Sequence, residues 1–271
     1  MSAASDHSLT GNRIEYRADR DRRVVRRYWS SATRAAWLGA SREAELAAHR
    51  LADRAGLAPR ITDVDLGLQW IELEWVDGAP VRVDPAIDSS TRSALWSVLA
   101  RLRHLDPIGV PHLDVPSRVD ILLERLRLIE PLAWSTWESR WGELRRRAAE
   151  STASTNQLCL VHGDLTSGNV LQRTDGRLFC IDWEYAHAGH PLEDLAGFLV
   201  GSSALLAEWQ LAQTTGAAQP DWWPAATFHE LGCHGRHEQI RLLNWWIEAR
   251  GVLDGVWMAL AAHSAGNARD A

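Results

Sequence analysis

The sequence predicts an α+β protein of two lobes, a small one built on antiparallel strands and a larger one that is mainly helical. Before residue 80 the chain holds short runs rich in β-branched and aromatic residues, whereas after residue 89 long segments repeat apolar residues at helical spacing. The 271 residues allow a substantial core, and 46% of them are apolar while 24% are charged, as in ordinary globular proteins. We expect one lobe over 1–80 and another over 81–271.

The first lobe is predicted to contain two strand pairs and one helix between them. RIEYRA and RVVRRYW are typical strands within residues 9–29, and a second hairpin ends with a strand over about 69–76. Ser41 is a suitable N-cap for a helix over 42–55, and Gly56 is suited to end that helix.

The second lobe is predicted from apolar residues at helical spacing. Helices over about 89–104, 118–129 and 134–149 precede short strands within 157–182, and the segment 191–263 is mainly helical. The chain has 15 tryptophans against three phenylalanines and three tyrosines. Because a tryptophan side chain carries a large apolar surface, we expect most of them to lie in the core.

Composition limits the classes of function. A formal net charge of −6 argues against nucleic acid as the main partner, although residues 13–27 hold seven arginines that either protect a strand edge or favour phosphate groups. All 29 basic residues are arginine, which excludes a catalytic lysine. No apolar run approaches the roughly 20 residues that span a bilayer. The polar start has no export signal, so we expect a cytoplasmic protein.

The stretch VHGDLTSGNV places an acid and an amide, Asp164 and Asn169, after a short apolar run. Asp175-Gly176 predicts a two-residue hairpin turn, and in that register Asn169 lies directly opposite Asp182. Amide and carboxylate oxygens so placed suit Mg²⁺, whose other ligands would be phosphate and water oxygens. Asp164 would then stand where it can accept a proton from an attacking hydroxyl. The alternative is that the acid and the amide merely cap a turn.

These stretches also resemble a known family. VHGDLTSGNVL followed by CIDWEYAHAGHPLEDLA is similar to the catalytic core of the aminoglycoside phosphotransferase, choline kinase and thiamine kinase superfamily, which has a protein-kinase-like fold. The resemblance implies that Asp164 is the catalytic base and that His162 steadies the catalytic loop. It implies that Asn169 and Asp182 bind Mg²⁺, and that Asp194 caps backbone groups beneath the site.

The resemblance extends to the helix and third strand of the first lobe. SREAELAAHRLADRAGLAP resembles the regulatory helix of choline-kinase-like proteins, in which Glu45, or else Glu43, pairs with the phosphate-binding base of the third strand. RRVVRRYW resembles that strand, with arginine where protein kinases have lysine. The register of this match favours Arg26 over Arg27.

Two further segments resemble parts of a nucleotide site. IELEWVDG is similar to the strand that enters the hinge, so we expect the backbone from Glu74 to Val76 to contact adenine. LTGNR, with its single glycine Gly11, resembles the loop that covers the phosphates. The resemblance therefore implies ATP and Mg²⁺ as cofactors, with GTP as the open alternative to ATP.

The acceptor is expected between the catalytic loop and the C-terminal helices, as in the superfamily. Aromatic side chains and one acid are the candidates there: Trp183, Tyr185, Trp222, Trp223, Trp245, Trp246 and Glu248. Aromatic faces beside a carboxylate suit a small cation such as choline, ethanolamine or thiamine. We expect a small-molecule kinase. The alternatives are an aminoglycoside or amino-sugar O-phosphotransferase and, from another class, a catalytically silent nucleotide-binding protein.

Overall fold

The structure is a computed structural model with two groups of elements, a small antiparallel sheet with one helix and a larger, mainly helical part. It therefore confirms the predicted α+β fold of two lobes. The predicted site residues Gly11, Trp222 and Trp223 lie outside the described residues. The described residues are 12–19, 22–29, 40–65, 67, 69–81, 89–113, 115–151, 158–215, 225–231 and 233–267.

The first group is a four-stranded antiparallel sheet in the order β1-β2-β4-β3 with one helix. These elements lie close to the bounds that the sequence predicts. Its helix α1 begins after Ser41, whose hydroxyl oxygen accepts the Ala44 N–H, so the predicted N-cap is confirmed. Gly56, at φ 67°, follows the helix end. The elements are β1 (Arg13–Asp19), β2 (Arg22–Tyr28), α1 (Arg42–Arg54), β3 (Ile61–Val64) and β4 (Trp70–Glu74).

The second group combines two small antiparallel sheets with helices. One sheet has the order β5-β7-β8 and the other pairs β6 with β9. The strands are β5 (Gly78–Pro80), β6 (Cys159–Val161), β7 (Val170–Arg173), β8 (Leu178–Cys180) and β9 (His187–Gly189). The helices are α2 (Ser89–Leu102), α3 (Val115–Ile129), α4 (Pro131–Ser151), α5 (Glu193–Val200), α6 (Ser203–Thr215), α7 (Ala225–Glu230) and α8 (Arg236–Asn267).

One large apolar core joins both groups. It includes Ala48 and Leu57 from the α1 region as well as the buried faces of the second group, and the Leu57 carbonyl accepts the Cys180 N–H at 2.7 Å. The long helix α8 packs on α3, α4 and α5. Among the largest fully buried side chains are four indoles, those of Trp141, Trp183, Trp209 and Trp245. Two more tryptophans are buried and four partly buried ones pack against the core, so ten of the 15 bear out the expectation that most of them lie there.

The β7–β8 hairpin differs from its predicted register by one residue. The loop contains three residues, 174–176, and Gly176 has a φ of 81°, as in three-residue hairpins with a glycine bulge. The backbone carbonyl of Asn169 therefore accepts the Ile181 N–H at 2.9 Å, and Asn169 lies opposite Ile181. The predicted direct opposition of Asn169 and Asp182 is wrong, because Asp-Gly is compatible with both loop lengths.

No single helix in the described ranges is long and apolar enough to cross a membrane. The pair Glu193–Val200 and Ser203–Thr214, bent by 107°, meets the length and composition criteria only when its two members are taken together.

Two glycines one turn apart on α8 meet different surroundings. A Cβ on Gly255 would lie 2.1 Å from the Trp137 ring, whereas one on Gly251 would meet no described atom within 4 Å. We predict that Gly255→Ala lowers the free energy of unfolding by about 1–3 kcal/mol through overpacking. Gly251→Ala should raise it by up to about 1 kcal/mol through helix propensity. Urea unfolding of both variants measures this, and equal effects would contradict it.

Candidate active site

The loop that carries Asp164 is fixed from beneath by hydrogen bonds to its backbone. The Asp194 carboxylate accepts the N–H groups of His162 at 2.8 Å and Gly163 at 3.0 Å, so the predicted cap of these backbone groups is confirmed. Gly163 has φ 79°, and a Cβ there would lie 2.2 Å from the Tyr185 carbonyl oxygen. Only glycine permits this approach. The loop is thereby held in one conformation.

The Asp164 carboxylate lies between an amide and a guanidinium. Asn169 Nδ2 donates to the Asp164 carbonyl at 2.9 Å and to its Oδ2 at 3.0 Å. Arg250 Nη2 donates to Oδ1 at 3.1 Å, and Arg250 Nη1 donates to the Gly163 carbonyl at 2.7 Å. Burial raises the pKa of Asp164, while Arg250 acts in the opposite direction. A carboxylate oriented in this way can accept a proton from a bound hydroxyl.

Arg27 is the buried arginine between the two groups of elements. Its guanidinium contacts the carboxylates of Glu45 on α1, Asp182 at 2.6 Å and Glu184 at 2.9 Å. Glu45 is fixed further by Trp29 Nε1, which donates to it at 2.6 Å. Burial would lower the pKa of Arg27, but the three carboxylates outweigh it and raise that pKa. Arg27 therefore stays charged, with three acids against one cation.

Arg26 points away from this cluster. It donates to Glu72 at 2.9 Å and lies over the Trp70 ring, 3.8 Å from its centroid. Neighbouring residues of a strand point to opposite faces of the sheet, so only one of the two arginines can reach Glu45. The prediction that Arg26 pairs with Glu45 is wrong, and Arg27 makes that pair.

Asp182 and Asn169 provide oxygen atoms suited to a hard cation. Asp182 has φ 67°, which makes it the single non-glycine residue with positive φ in the described part of the chain. Its Oδ1 is buried and, apart from the ion pair with Arg27, has no hydrogen-bond partner. Asn169 bonds to Asp164 through its amide nitrogen, which leaves the amide oxygen as a ligand atom. These oxygens fit Mg²⁺.

A metal ion at this place would need ligands beyond the protein. Across the described ranges, no group of three or more His, Cys, Asp or Glu side chains could hold a metal. Two protein oxygens completed by phosphate and water oxygens are the arrangement that Mg²⁺ adopts in phosphate-transferring sites. The side chains present therefore fit a metal that arrives with a nucleotide.

The expected hinge follows β4. The Glu74 N–H donates to the Arg60 carbonyl at 2.8 Å, and the Val76 carbonyl accepts from the Gly78 N–H at 3.0 Å. Gly78 begins β5, which pairs with β7 of the second group, so this segment connects the two sheets. The contact of Glu74 and Val76 with adenine stays a prediction.

A cavity of about 420 Å³ opens beside Asp164 and Asp182, between the loop that carries Asp164 and helices α5 and α8. Four acids against two arginines leave a formal excess of two negative charges, and two aromatic rings complete this set. These eight residues are Asp164, Asp182, Glu184, Asp254, Arg118, Arg250, Tyr185 and Trp257. A volume of this size suits a small molecule.

Among the predicted acceptor residues that the structure describes, Tyr185 alone lines this cavity. Trp183 and Trp245 are fully buried in the core, Trp246 stacks on a histidine ring at 4.5 Å, and Glu248 pairs with an arginine of α4 at 2.9 Å. The predictions for Trp183, Trp245 and Glu248 are wrong, because their positions along α8 and after β8 direct the side chains into the core or to the outer surface. Trp246 instead lines a smaller cavity that shares Arg118 and Arg250 with this one, so its role stays a prediction.

Five of these eight residues were not predicted from sequence, namely Glu184, Arg118, Arg250, Asp254 and Trp257. Arg250, Asp254 and Trp257 recur at intervals of four and three residues, so they share one face of α8, and Trp257 Nε1 donates to the Tyr185 hydroxyl at 3.0 Å. Arg118 lies on the buried face of α3. Charged residues at apolar positions of a helix were the available signal, because such residues are rarely buried without a functional or pairing reason.

A small antiparallel lobe, a larger helical lobe and a fixed aspartate, Asp164, beside a cavity are the arrangement of a kinase-like phosphotransferase. Residues 8–228 match the sequence model of the phosphotransferase enzyme family, and the chain belongs to this family. It is an ATP-dependent phosphotransferase that acts on a hydroxyl group of a small molecule. No curated protein sequence matches the chain.

Solved structures with the same fold include kinases of several small molecules. Choline kinase LicA from Streptococcus pneumoniae is 15% identical with a TM-score of 0.69, and 98% of this chain and 88% of that one are covered. An ethanolamine kinase from Plasmodium vivax has the same identity and TM-score, with 95% and 75% covered. Aminoglycoside phosphotransferase APH(3'')-Id from Streptomyces rimosus is 18% identical with a TM-score of 0.57, with 91% and 89% covered. These likenesses show the fold.

Two histidines, the buried His49 and the half-buried His190, are held neutral. His49 Nε2 lies 2.7 Å from the Pro59 carbonyl, and His190 Nδ1 accepts the Leu192 N–H at 3.2 Å. Burial lowers the pKa of both side chains to about 4, compared with about 6.5 in an unfolded chain. Protonation between these values therefore favours the unfolded state.

We predict that folding stability falls as pH decreases through this window. The contribution of each histidine is fully present above about pH 6.5 and is lost as pH approaches about 4, with uptake of up to about two protons on unfolding. Urea unfolding at several pH values measures the slope. His49→Gln should reduce the uptake by up to about one proton, and an unchanged slope in this variant would contradict the prediction.

Proposed function

We propose that the protein transfers the γ-phosphate of ATP, with Mg²⁺, to the hydroxyl group of a small acceptor that carries an ammonium group. The observation that carries this proposal is that Asp164 and Asp182 line one cavity. A phosphate held at Asp182 and a hydroxyl held at Asp164 would therefore meet inside it. The AMP complex of choline kinase LicA, 16% identical with a TM-score of 0.57, supports the binding of an adenine nucleotide.

The cluster around Arg27 supports a role in holding phosphates. One guanidinium faces three carboxylates, and two of these, Asp182 and Glu184, also line the cavity. In this proposal Asn169 and Asp182 hold Mg²⁺, and Arg27, positioned by Glu45, binds phosphate oxygens with its planar fork. When bound, Mg²⁺ would neutralise charge on the phosphoryl oxygens.

Asp164 acts as the base in the proposed transfer. The acceptor oxygen forms a bond to the γ-phosphorus while the bond from that phosphorus to the β-phosphate oxygen of ADP breaks, and the hydroxyl proton passes to the Asp164 carboxylate. Asn169 and Arg250 hold this carboxylate in place. His162 acts through the loop backbone as a positioning residue. Catalysis then consists mainly of positioning and charge stabilisation.

The aromatic and acidic lining of the cavity supports an acceptor with an ammonium group. The Tyr185 and Trp257 rings meet edge to face with centroids 6.3 Å apart, and Glu184 and Asp254 lie in the same lining. Aromatic faces beside carboxylates attract ammonium groups by about 0.5–2 kcal/mol per contact. Choline- and ethanolamine-like compounds have this chemistry, as do the named substrates of two structural neighbours.

An aminoglycoside or amino sugar is the second candidate acceptor. The whole cavity lining holds four acids against two arginines, and acids attract the ammonium groups of such a compound. The aminoglycoside phosphotransferase among the structural neighbours supports the same alternative. Turnover with these compounds but with no smaller ammonium compound would select it.

Asp164→Asn tests the assignment of the base. We predict that kcat falls by about 10²- to 10⁴-fold, because the amide cannot accept the proton, while ATP affinity changes little. Acceptor-dependent ADP release measures kcat, and Asp175→Asn, on the exposed hairpin loop, is the control. Full activity of Asp164→Asn would exclude it as the base. If the wild type binds ATP but transfers phosphate to no acceptor, the protein is a silent nucleotide-binding protein.

A matched pair of lysine substitutions distinguishes Arg27 from Arg26. Arg27→Lys keeps the charge but removes the fork, so we predict that KM for ATP rises about tenfold or more. Arg26→Lys should leave it within about threefold, since Arg26 bonds to Glu72 and stacks on Trp70. Initial rates over a range of ATP concentrations measure both. The reverse order of effects would restore Arg26 as the phosphate-binding residue.

A further inference from the structure

We propose that the acceptor also carries a carboxylate, which Arg118 binds inside the cavity, so that the acceptor is a small hydroxy amino acid. The inference rests on the proposed function, because it names a second group on the molecule that Asp164 would deprotonate. The guanidinium concerned, that of Arg118, has no role in the proposed phosphate transfer.

Arg118 is a buried arginine without a counter-charge in contact. It is 5% exposed, its guanidinium lies 4.9 Å from the Tyr185 ring centroid, and its Nε is buried without a hydrogen-bond partner. In the described part of the chain, no carboxylate forms an ion pair with it. Burying a charged group in this state is costly. A ligand that supplies the missing acceptors would explain why the residue is there.

The acidic groups near Arg118 are already engaged with other partners. Glu193 bonds to the His187 ring at 2.8 Å, and Asp254 pairs with Arg250 Nε at 2.7 Å. The Tyr185 hydroxyl accepts from Trp257. The charge of Arg118 therefore has no dedicated neutralising group in this lining.

Arg250, the other arginine of the cavity, shows the contrasting case. Its guanidinium is engaged with the Gly163 carbonyl at 2.7 Å, Asp164 at 3.1 Å and Asp254 at 2.7 Å. Its donors are directed to protein oxygens, whereas those of Arg118 have no such partner. Arg118 also lies at the boundary with a smaller second cavity. An anionic group entering the main cavity would therefore bind Arg118 rather than Arg250.

The arrangement selects a zwitterionic acceptor over a simple cation. A guanidinium fork binds a carboxylate through two parallel hydrogen bonds. A hydroxy amino acid would place its hydroxyl at Asp164, its ammonium group towards Asp254 and the aromatic rings, and its carboxylate at Arg118. A compound with only an ammonium group would bring a like charge towards Arg118 and leave its donors unpaired.

Two pairs of acceptors that differ only by a carboxylate test the proposal. The pairs are L-serine with ethanolamine and L-homoserine with 3-aminopropan-1-ol, assayed by ADP release with Mg²⁺ and ATP. For at least one pair, kcat/KM for the amino acid should exceed that of its partner by about 10- to 100-fold. Arg118→Gln should remove this difference, mainly through KM, and Arg118→Lys should restore part of it. The control is Arg127→Gln, an exposed position of α3 whose side chain pairs with Glu124.

The outcomes separate this inference from the proposed function. Equal or better turnover of the amines by the wild type would overturn the carboxylate site. If Arg118→Gln lowers kcat/KM equally for the amino acid and its amine partner, the role of Arg118 is structural. Turnover of choline or ethanolamine alone would keep the proposed function and reject the inference. If nothing is phosphorylated but calorimetry shows binding of the amino acids that depends on Arg118, the site stands and the proposed function fails. If the amino acids are neither turned over nor bound, the inference is overturned.

Discussion

The contact between Arg27 and three carboxylates is the interaction on which the two-lobed arrangement depends. Arg27 comes from β2, Glu45 from α1, and Asp182 and Glu184 from the segment after β8, so one guanidinium joins the first-lobe sheet, its helix and the catalytic side of the second lobe. An arginine can do this because its fork offers several donors in one plane. Because the chain has no lysine, arginine must supply the positive charge both for structural ion pairs and for ligand binding.

The same contact leaves a charge that the protein does not neutralise. Three acids around one cation carry an excess of two negative charges, and two of them face the cavity. Buried acids in that state favour a bound cation. A divalent ion held by Asp182 and Asn169 would meet this need. The positive φ of Asp182 is the kind of local strain that persists where the surrounding structure fixes a functional side chain.

Local chemistry predicted the N-cap of α1, because Ser41 needs only the backbone donors that follow it. The cap of the Asp164 loop by Asp194, which lies 32 and 31 residues from its donors along the chain, was implied instead by the family resemblance. The parts that were not predicted depend on geometry that the sequence does not specify. Asp175-Gly176 is compatible with two loop lengths, and the adjacent Arg26 and Arg27 differ only in the face of the strand they occupy. Two of the tryptophans were misplaced because core packing and cavity lining require the same residue type.

The two halves of the cavity differ in charge, and this difference bears on the choice of acceptor. The lining has four acids against two arginines, but Asp182 and Glu184 are shared with Arg27, on the side where we propose that the nucleotide binds. The remaining acids, Asp164 and Asp254, are both paired with Arg250, and Arg118 adds a second positive charge. The acceptor half is therefore formally neutral. A neutral half with separated charges suits a zwitterion. A polycation would find few unpaired acids there. The excess of acids over the whole cavity therefore does not by itself favour an aminoglycoside.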